Sequence, residues 1–354
     1  MRVIHLVASS DRRGAEVFAT ELVKHLGGAP DHEVLAIRAG TAERRLDVRA
    51  LGSSRTDPRG FAHLVSRLRR ADVLVAHGSS SLLHGAAAGS IASRPFVYRN
   101  IGDPAAWGDV RGAAFRIGTP LRHAARVAAL YPSARDHLIS SYRLDRTRVA
   151  TIPNAVPEFP RPDHNGRAVA RQQFSLDPSR RWVGFVGALS EEKGVLDAIA
   201  AVAIDPGLGL LVAGGGPQAD QARECADRTA PGRVRFLGVT DEPLSVLAAV
   251  DVLVIPSRTE GMPGAAIEAG LSGVPVVATD VGGVSEVVVD GATGVLVDSV
   301  EPVALVSALR RAIAQREAFG DAARERCQSR FTMDPVARQW ASLLDEVSAS
   351  ARRR

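Results

Sequence analysis

Thirteen short apolar runs rich in β-branched residues recur along the chain, each separated from the next by a stretch with helical spacing or turn residues. In the first half they fall at 3–7, 32–37, 48–51, 73–76, 96–98, 127–130 and 149–152. In the second half they fall at 182–186, 208–213, 234–236, 252–255, 274–278 and 294–297. Few alternate strictly between apolar and polar side chains, which is the pattern of strands covered on both faces. Such strands, joined by helices, predict an α/β chain of βα units with parallel sheets.

At 354 residues the chain is long enough for two domains with a core each. The βα rhythm breaks once, over 157–181, where Pro157, Pro160, Pro162 and Pro178 accompany several charges and Gly166. This predicts a Rossmann-like domain over 1–156, a connection over 157–181 and a second Rossmann-like domain over 182–330. Beyond Asp321 helical spacing returns, with Val336, Trp340, Leu343, Leu344 and Val347 on one side.

Several strand ends carry residues suited to a ligand, which open α/β sheets bind outside the carboxyl ends of their strands. After the run 252–255 comes Glu260-Gly-Met-Pro-Gly-Ala-Ala-Ile-Glu268. Pro263 suits a first helical position, and Gly261 and Gly264 let a ligand approach the main chain. The free N–H groups at such a helix start favour a phosphate. Glu260 in the loop and Glu268 on the second turn would add carboxylates for hydroxyl groups, so a nucleotide sugar fits; a solvated first-turn acid is the plainer use of such residues. Lys193, one of two lysines in the chain, stands at another helix start in Gly187-Ala-Leu-Ser-Glu-Glu-Lys-Gly194. A cation there opposes the helix dipole, and an anion between the two resolves the conflict. His77 ends the run 73–76; a lone histidine is more often structural. Gly14 follows the first run, and Gly214-Gly215-Gly216-Pro217 follows the run 208–213.

The run Pro256-Ser-Arg-Thr-Glu-Gly-Met-Pro-Gly-Ala-Ala-Ile-Glu-Ala-Gly-Leu-Ser-Gly-Val-Pro-Val-Val-Ala278 resembles the signature of retaining GT-B glycosyltransferases of family 4. That signature has two Glu separated by seven residues, then Gly-x-Pro-Val-Val-Ala, and the resemblance extends along nearly the whole chain. It implies a GT-B fold, two doubly wound Rossmann-like domains facing a central cleft. The second domain would bind the donor and the first the acceptor, with a C-terminal helix over about 331–350 packed back on the first. The implied reaction moves a sugar, with retention, from a nucleotide-diphosphate sugar to an acceptor hydroxyl of a glycan, lipid-linked or small molecule.

The resemblance also assigns roles. Glu268 would take the ribose hydroxyls, Glu260 the donor sugar and Lys193 the diphosphate, while His77 would approach the donor sugar from the first domain. Gly187, Gly261, Met262, Pro263, Gly264, Gly215 and Gly216 would line the donor site, and Gly238 and Val239 would pair with the nucleobase edge. Gly14 would face the donor phosphates or acceptor, although Arg13 replaces the first Gly often found there. The family's Gly-Arg-Leu segment has Ala188 in place of Arg, with Arg258 as a candidate substitute cation. A sugar-nucleotide epimerase or phosphorylase, or a non-catalytic nucleotide-sugar-binding homologue, would share this architecture.

Absences narrow the reading. There is no Asp-x-Asp for a divalent metal, so no metal cofactor is expected, and no Gly-x-Ser-x-Gly or Walker motif. The segment after the first run lacks Gly-x-Gly-x-x-Gly, against a dinucleotide-dependent oxidoreductase. No apolar run approaches the roughly 18 residues of a membrane span, and the start lacks the marks of a signal peptide. Cys225 and Cys327 show no ligand spacing and fit reduced thiols in the cytoplasm. Residues 1–155 hold 23 Lys and Arg against 13 Asp and Glu, whereas the remainder holds 21 against 26. With 5% aromatic residues the chain does not suggest a nucleic-acid partner. An acidic acceptor or an anionic membrane surface suits the basic half better, as does a genome biased to arginine. Arg111, Arg116, Arg122 and Arg126, interspersed with Phe115, Ile117 and Leu121, are the stretch for peripheral membrane contact or an acidic acceptor. Solvated arginines above a core-facing apolar side are the simpler account of the same pattern.

Overall fold

All thirteen apolar runs contain a strand, and every pairing between these strands is parallel. The computed structural model describes the chain except residues 29–30, 43–44, 108–115, 241 and 354. Two compact units result: Met1–Pro157 together with Thr332–Arg354, and Glu158–Phe331.

In the first unit the strands are β1 (Val3–Ser9), β2 (His32–Arg38), β3 (Arg49–Gly52), β4 (Val73–His77), β5 (Phe96–Arg99), β6 (Arg126–Ala129) and β7 (Val149–Thr151). They form one sheet in the order β3-β2-β1-β4-β5-β6-β7. Helices lie against this sheet because their apolar stripes have nowhere else to go. Phe18 and Leu22 of helix Gly14–His25 meet Val3, Val73, Val75 and Val97 of the sheet. Val336, Trp340 and Leu344 of helix Met333–Arg352 join the same core, fully buried. At about 1.5–3 kcal/mol for each large apolar side chain buried, this last helix is a substantial part of the unit's stability.

The second unit contains β8 (Arg181–Val186), β9 (Leu208–Ala213), β10 (Val234–Gly238), β11 (Val252–Ile255), β12 (Val276–Thr279) and β13 (Gly294–Val297), in the order β10-β9-β8-β11-β12-β13. Residues 158–181, expected as a connection, belong to this unit. Asp163 caps helix His164–Gln173 by accepting the Gly166 N–H at 2.7 Å. From that helix Arg167 and Arg171 reach the two oxygens of the fully buried Asp251 at 2.6 and 2.8 Å. The Trp182 N–H also donates to Asp251, at 2.7 Å, which ties the helix to the sheet.

In both sheets the strand order reverses beside the first strand, between β1 and β4 and between β8 and β11. Such a switch point is where open α/β sheets hold ligands. Of the basic stretch, Arg111 and Phe115 lie outside the described residues. Leu121 is buried in the short helix Gly118–His123, Arg116 and Arg122 are exposed, and Arg126 opens β6 at 3.6 Å from Glu346. Among the described residues no helix is long and apolar enough to cross a membrane.

Candidate functional site

The switch point of the second sheet carries the strongest polar cluster named from the sequence. β8 runs into Gly187 and then a single 3-10 turn, Glu191–Lys193, while β11 runs into Pro256, Ser257 and Glu260. Lys193 Nζ lies 2.8 Å from Glu260 Oε1, and Ser257 Oγ donates to the same oxygen at 2.8 Å. The lysine also has Glu192 at 3.6 Å. The anion that reconciles Lys193 with its helix start is therefore a carboxylate of the chain itself. Gly194 makes this approach feasible: its φ is +73°, and a Cβ there would overlap the Pro256 carbonyl oxygen.

Arg258 holds the two loops together. Its backbone N–H donates to the Glu192 carbonyl at 2.8 Å, and its Nη1 donates to the Glu191 carbonyl at 2.9 Å and to Asp197 Oδ2 at 2.8 Å. The hydrogen bond to Asp197 raises the guanidinium's already high pKa further. Expected as a substitute for the cation missing at Ala188, Arg258 is instead committed to Asp197; Ala188 itself is exposed.

Behind the pair lies helix Gly264–Leu271, whose start has no side-chain cap and so leaves main-chain donors for another partner. Pro263 is its N-cap residue, at φ −69° and ψ 121°, so the helix begins one residue later than the sequence suggested. Met262 and Gly261 are buried, and the Gly261 carbonyl accepts the Gly283 N–H at 2.7 Å. Glu268 is half-buried on the second turn.

Glycine loops at the ends of β8, β9 and β10 complete this edge. The Gly214 N–H donates to Gly238 O at 2.8 Å, and the Leu189 N–H donates to Gly215 O at 3.0 Å. A Cβ on Gly214 would overlap the Gly187 carbonyl oxygen, so only glycine lets these two loops meet. Gly216 and Val239 stand on the open side, the valine 55% exposed.

Two predicted residues lie in the first unit. Gly14 is exposed as the first residue of helix Gly14–His25, with open space where a Cβ would point. His77 ends β4, but its ring turns into the unit's own core and is 2% exposed. Its Nε2 is 3.2 Å from His5 Nδ1, and its ring stacks on Trp340 at 6.2 Å between centroids. Burial holds its pKa well below the usual histidine value, with His5 and Arg99 adding to the effect. Its Nδ1 has no hydrogen-bond partner among the described residues, and in this arrangement the ring faces the unit's core rather than solvent. His84 bonds the Arg55 carbonyl through Nε2 at 2.9 Å.

Comparison with known proteins decides the family. A model described as "Glycosyl transferases group 1" matches residues 167–327, and "Glycosyltransferase Family 4" matches residues 12–158. The chain belongs to the GT-B, family 4-type glycosyltransferases. Among its relatives, the alpha-maltose-1-phosphate synthase of Mycolicibacterium smegmatis is 32% identical over 65% of this chain and 65% of its own length. The glycogen synthase of Mycobacterium tuberculosis is 38% identical over 49% of this chain and 45% of its own. The chain thus spans about two fifths to two thirds of the length of the curated relatives it matches. The fold is shared with Anabaena HepE, solved with UDP and glucose: TM-score 0.86 over 98% of this chain and 99% of that one, at 22% identity.

Within this family the sequence missed residues whose signal is purely spatial. Ser257 lies in the quoted signature run, yet nothing in its spacing marks it as the second donor to Glu260. Asp197 is one more acid near a helix start until Arg258, 61 residues away, is seen to close on it.

Proposed function

We propose that the chain transfers a sugar, with retention, from a nucleoside-diphosphate sugar to an acceptor hydroxyl. The observation that carries this reading is the Lys193–Glu260–Ser257 cluster at the switch point, flanked by glycine loops and an uncapped helix start. A diphosphate would take Lys193 and the free N–H groups of helix Gly264–Leu271, the preorganised electrostatics suited to charge building on a leaving phosphate. Glu260, relieved of Lys193, would accept from the sugar's hydroxyls, and Glu268 from the ribose. Met262, Pro263, Gly187, Gly215, Gly216, Gly238 and Val239 would shape the donor's bed. The transfer would proceed by same-face attack guided by the leaving phosphate.

Relatives named for maltose-1-phosphate and glycogen synthesis, and a neighbour solved with UDP and glucose, support a nucleotide-sugar donor. The catalytic set leaves out His77, enclosed by His5 and Trp340, and gives Arg258 the work of positioning Lys193. Two free cysteines, one of them buried, support a cytoplasmic setting. The first unit would hold the acceptor, and the surplus of cations in residues 1–155 favours an acidic or lipid-linked one.

The test is incubation with a panel of nucleotide sugars, with nucleotide release followed by mass spectrometry. Release with at least one donor, and its loss in Lys193→Ala, are expected. Absence of both release and nucleoside-diphosphate binding across the panel would leave a non-catalytic homologue as the better description.

A further inference from the structure

At the other end of the same strands, residues preceding β11 and β12 border a cavity of about 390 Å³. Its walls include Arg161, His164 and Arg167, and Ser272, Val274 and Arg316 also line it. Nothing in the proposed sugar transfer uses this end of the sheet, since Lys193 and Glu260 follow β8 and β11.

Guanidinium groups outnumber their partners here. Asp251 already satisfies Arg167 and Arg171, at 2.6 and 2.8 Å, and has Arg181 at 3.6 Å. Arg161 lies across Gly273, where a Cβ would strike its guanidinium, and pairs with Asp321. Of the remaining acids on the rim, Asp163 caps its own helix, and Glu317 is exposed to solvent. Arg316 is half-buried, its Nε is buried without a hydrogen-bond partner, and it makes no ion pair among the described residues. Burial, followed by the nearby Arg167, pulls its pKa down to about 10 against the opposing pull of Asp251. A half-buried guanidinium with an unpartnered Nε is costly, and a bidentate oxyanion is its natural complement.

We infer that this cavity binds a phosphate-sized oxyanion, free or carried as a phosphomonoester on a small metabolite, with Arg316 as its principal contact. Ser272 and His164 line the same space and would supply further polar contacts. The site is independent of the nucleotide edge, so an effector bound here would act on the donor-side unit without competing for Lys193.

Calorimetry on the full chain carrying Lys193→Ala, which weakens any phosphate binding at the nucleotide edge, tests this at constant ionic strength. Orthophosphate forms one arm and glycerol 3-phosphate the other. Saturable binding of one anion per chain is expected in at least one arm, and the tighter arm tells free phosphate from ester. Arg316→Gln should weaken it about tenfold or more, the loss of a charge-assisted bond. Ala248→Glu, which keeps every arginine but brings a carboxylate to the cavity wall, should suppress it as well and serves should Arg316→Gln fail to fold. Absence of saturable binding in both arms, or binding indifferent to both substitutions, overturns the proposal.

Discussion

Arg258 donates to Asp197 at 2.8 Å across 61 residues of sequence, and through the Glu191 and Glu192 carbonyls it fixes the turn that ends in Lys193. Arg258→Ala should therefore act through Lys193 rather than through lost contact with substrate. The expected result is a fall in kcat of about tenfold, a charge-assisted bond's worth, together with weaker nucleoside-diphosphate binding. Asp197→Ala should reproduce both effects. Steady-state kinetics that show Arg258→Ala silent while Asp197→Ala is impaired would contradict this coupling.

Lys193, Glu260 and Glu268 should separate in their effects. Lys193→Ala should weaken nucleoside-diphosphate binding about tenfold to hundredfold with the fold intact. Glu268→Ala should weaken the same ligand through the ribose. Glu260→Ala should spare or tighten it, because Lys193 is then released, yet depress turnover. Calorimetry beside initial rates distinguishes the three, and identical behaviour of the two glutamate variants would refute the division of roles.

Asp251 is fully buried between Arg167 and Arg171 and accepts the Trp182 N–H. Asp251→Asn leaves two guanidiniums without their counter-charge, which typically costs about 3–5 kcal/mol. Urea denaturation should show that loss in the second unit. A change below about 1 kcal/mol, the scale of an exposed pair, would mean that the arginines find other partners.

Acid should weaken the first unit before it weakens the second. Burial, then the charge of His32, lowers the His5 pKa to about 3, and burial lowers that of His77 as well. In the unfolded chain both rings take up a proton near 6.5. Stability from keeping them neutral is thus complete above that pH and declines as pH falls from about 6.5 toward about 3. Denaturant midpoints across this window should fall with acid in the wild type and fall less steeply in His5→Phe. Parallel pH slopes for the two proteins would remove His5 from the account.

Arg116 and Arg122, both exposed, test the proposed membrane contact. Vesicle sedimentation should show salt-sensitive binding to anionic lipid, reduced by Arg116→Glu with Arg122→Glu, since each cation near a charged leaflet adds about 1 kcal/mol. Absence of binding at low salt, where screening is weakest, would direct the search to a soluble acidic acceptor.

Strands were legible because fully covered parallel strands must be nearly continuous runs of β-branched residues, and 252–255 or 208–213 admit little else. Lys193 and Glu260 stood out because one of only two lysines, at a helix start, and a glutamate beside glycines at strand ends are costly to leave unpaired. Less visible was anything decided by folding distance. Asp251 resembles any acid before a strand until Arg167 and Arg171 arrive from 84 and 80 residues away. His77 sits where a ligand residue would sit, and only the return of Trp340 shows that its ring is enclosed. Arg258 was assigned by position in the sequence, whereas its rotamer chose Asp197.

That return has a consequence for synthesis. The second unit is one continuous segment, Glu158–Phe331, whereas the first is completed only by Thr332–Arg354. A ribosome therefore releases everything needed for the later-encoded unit while the earlier one still lacks Trp340, Leu344 and Val347 from its core. Although domains generally fold in order of emergence, here the N-terminal strands must wait with an open apolar face until helix Met333–Arg352 leaves the exit tunnel. Nascent chains stalled before Met333 should consequently be the form of this protein that chaperones hold longest.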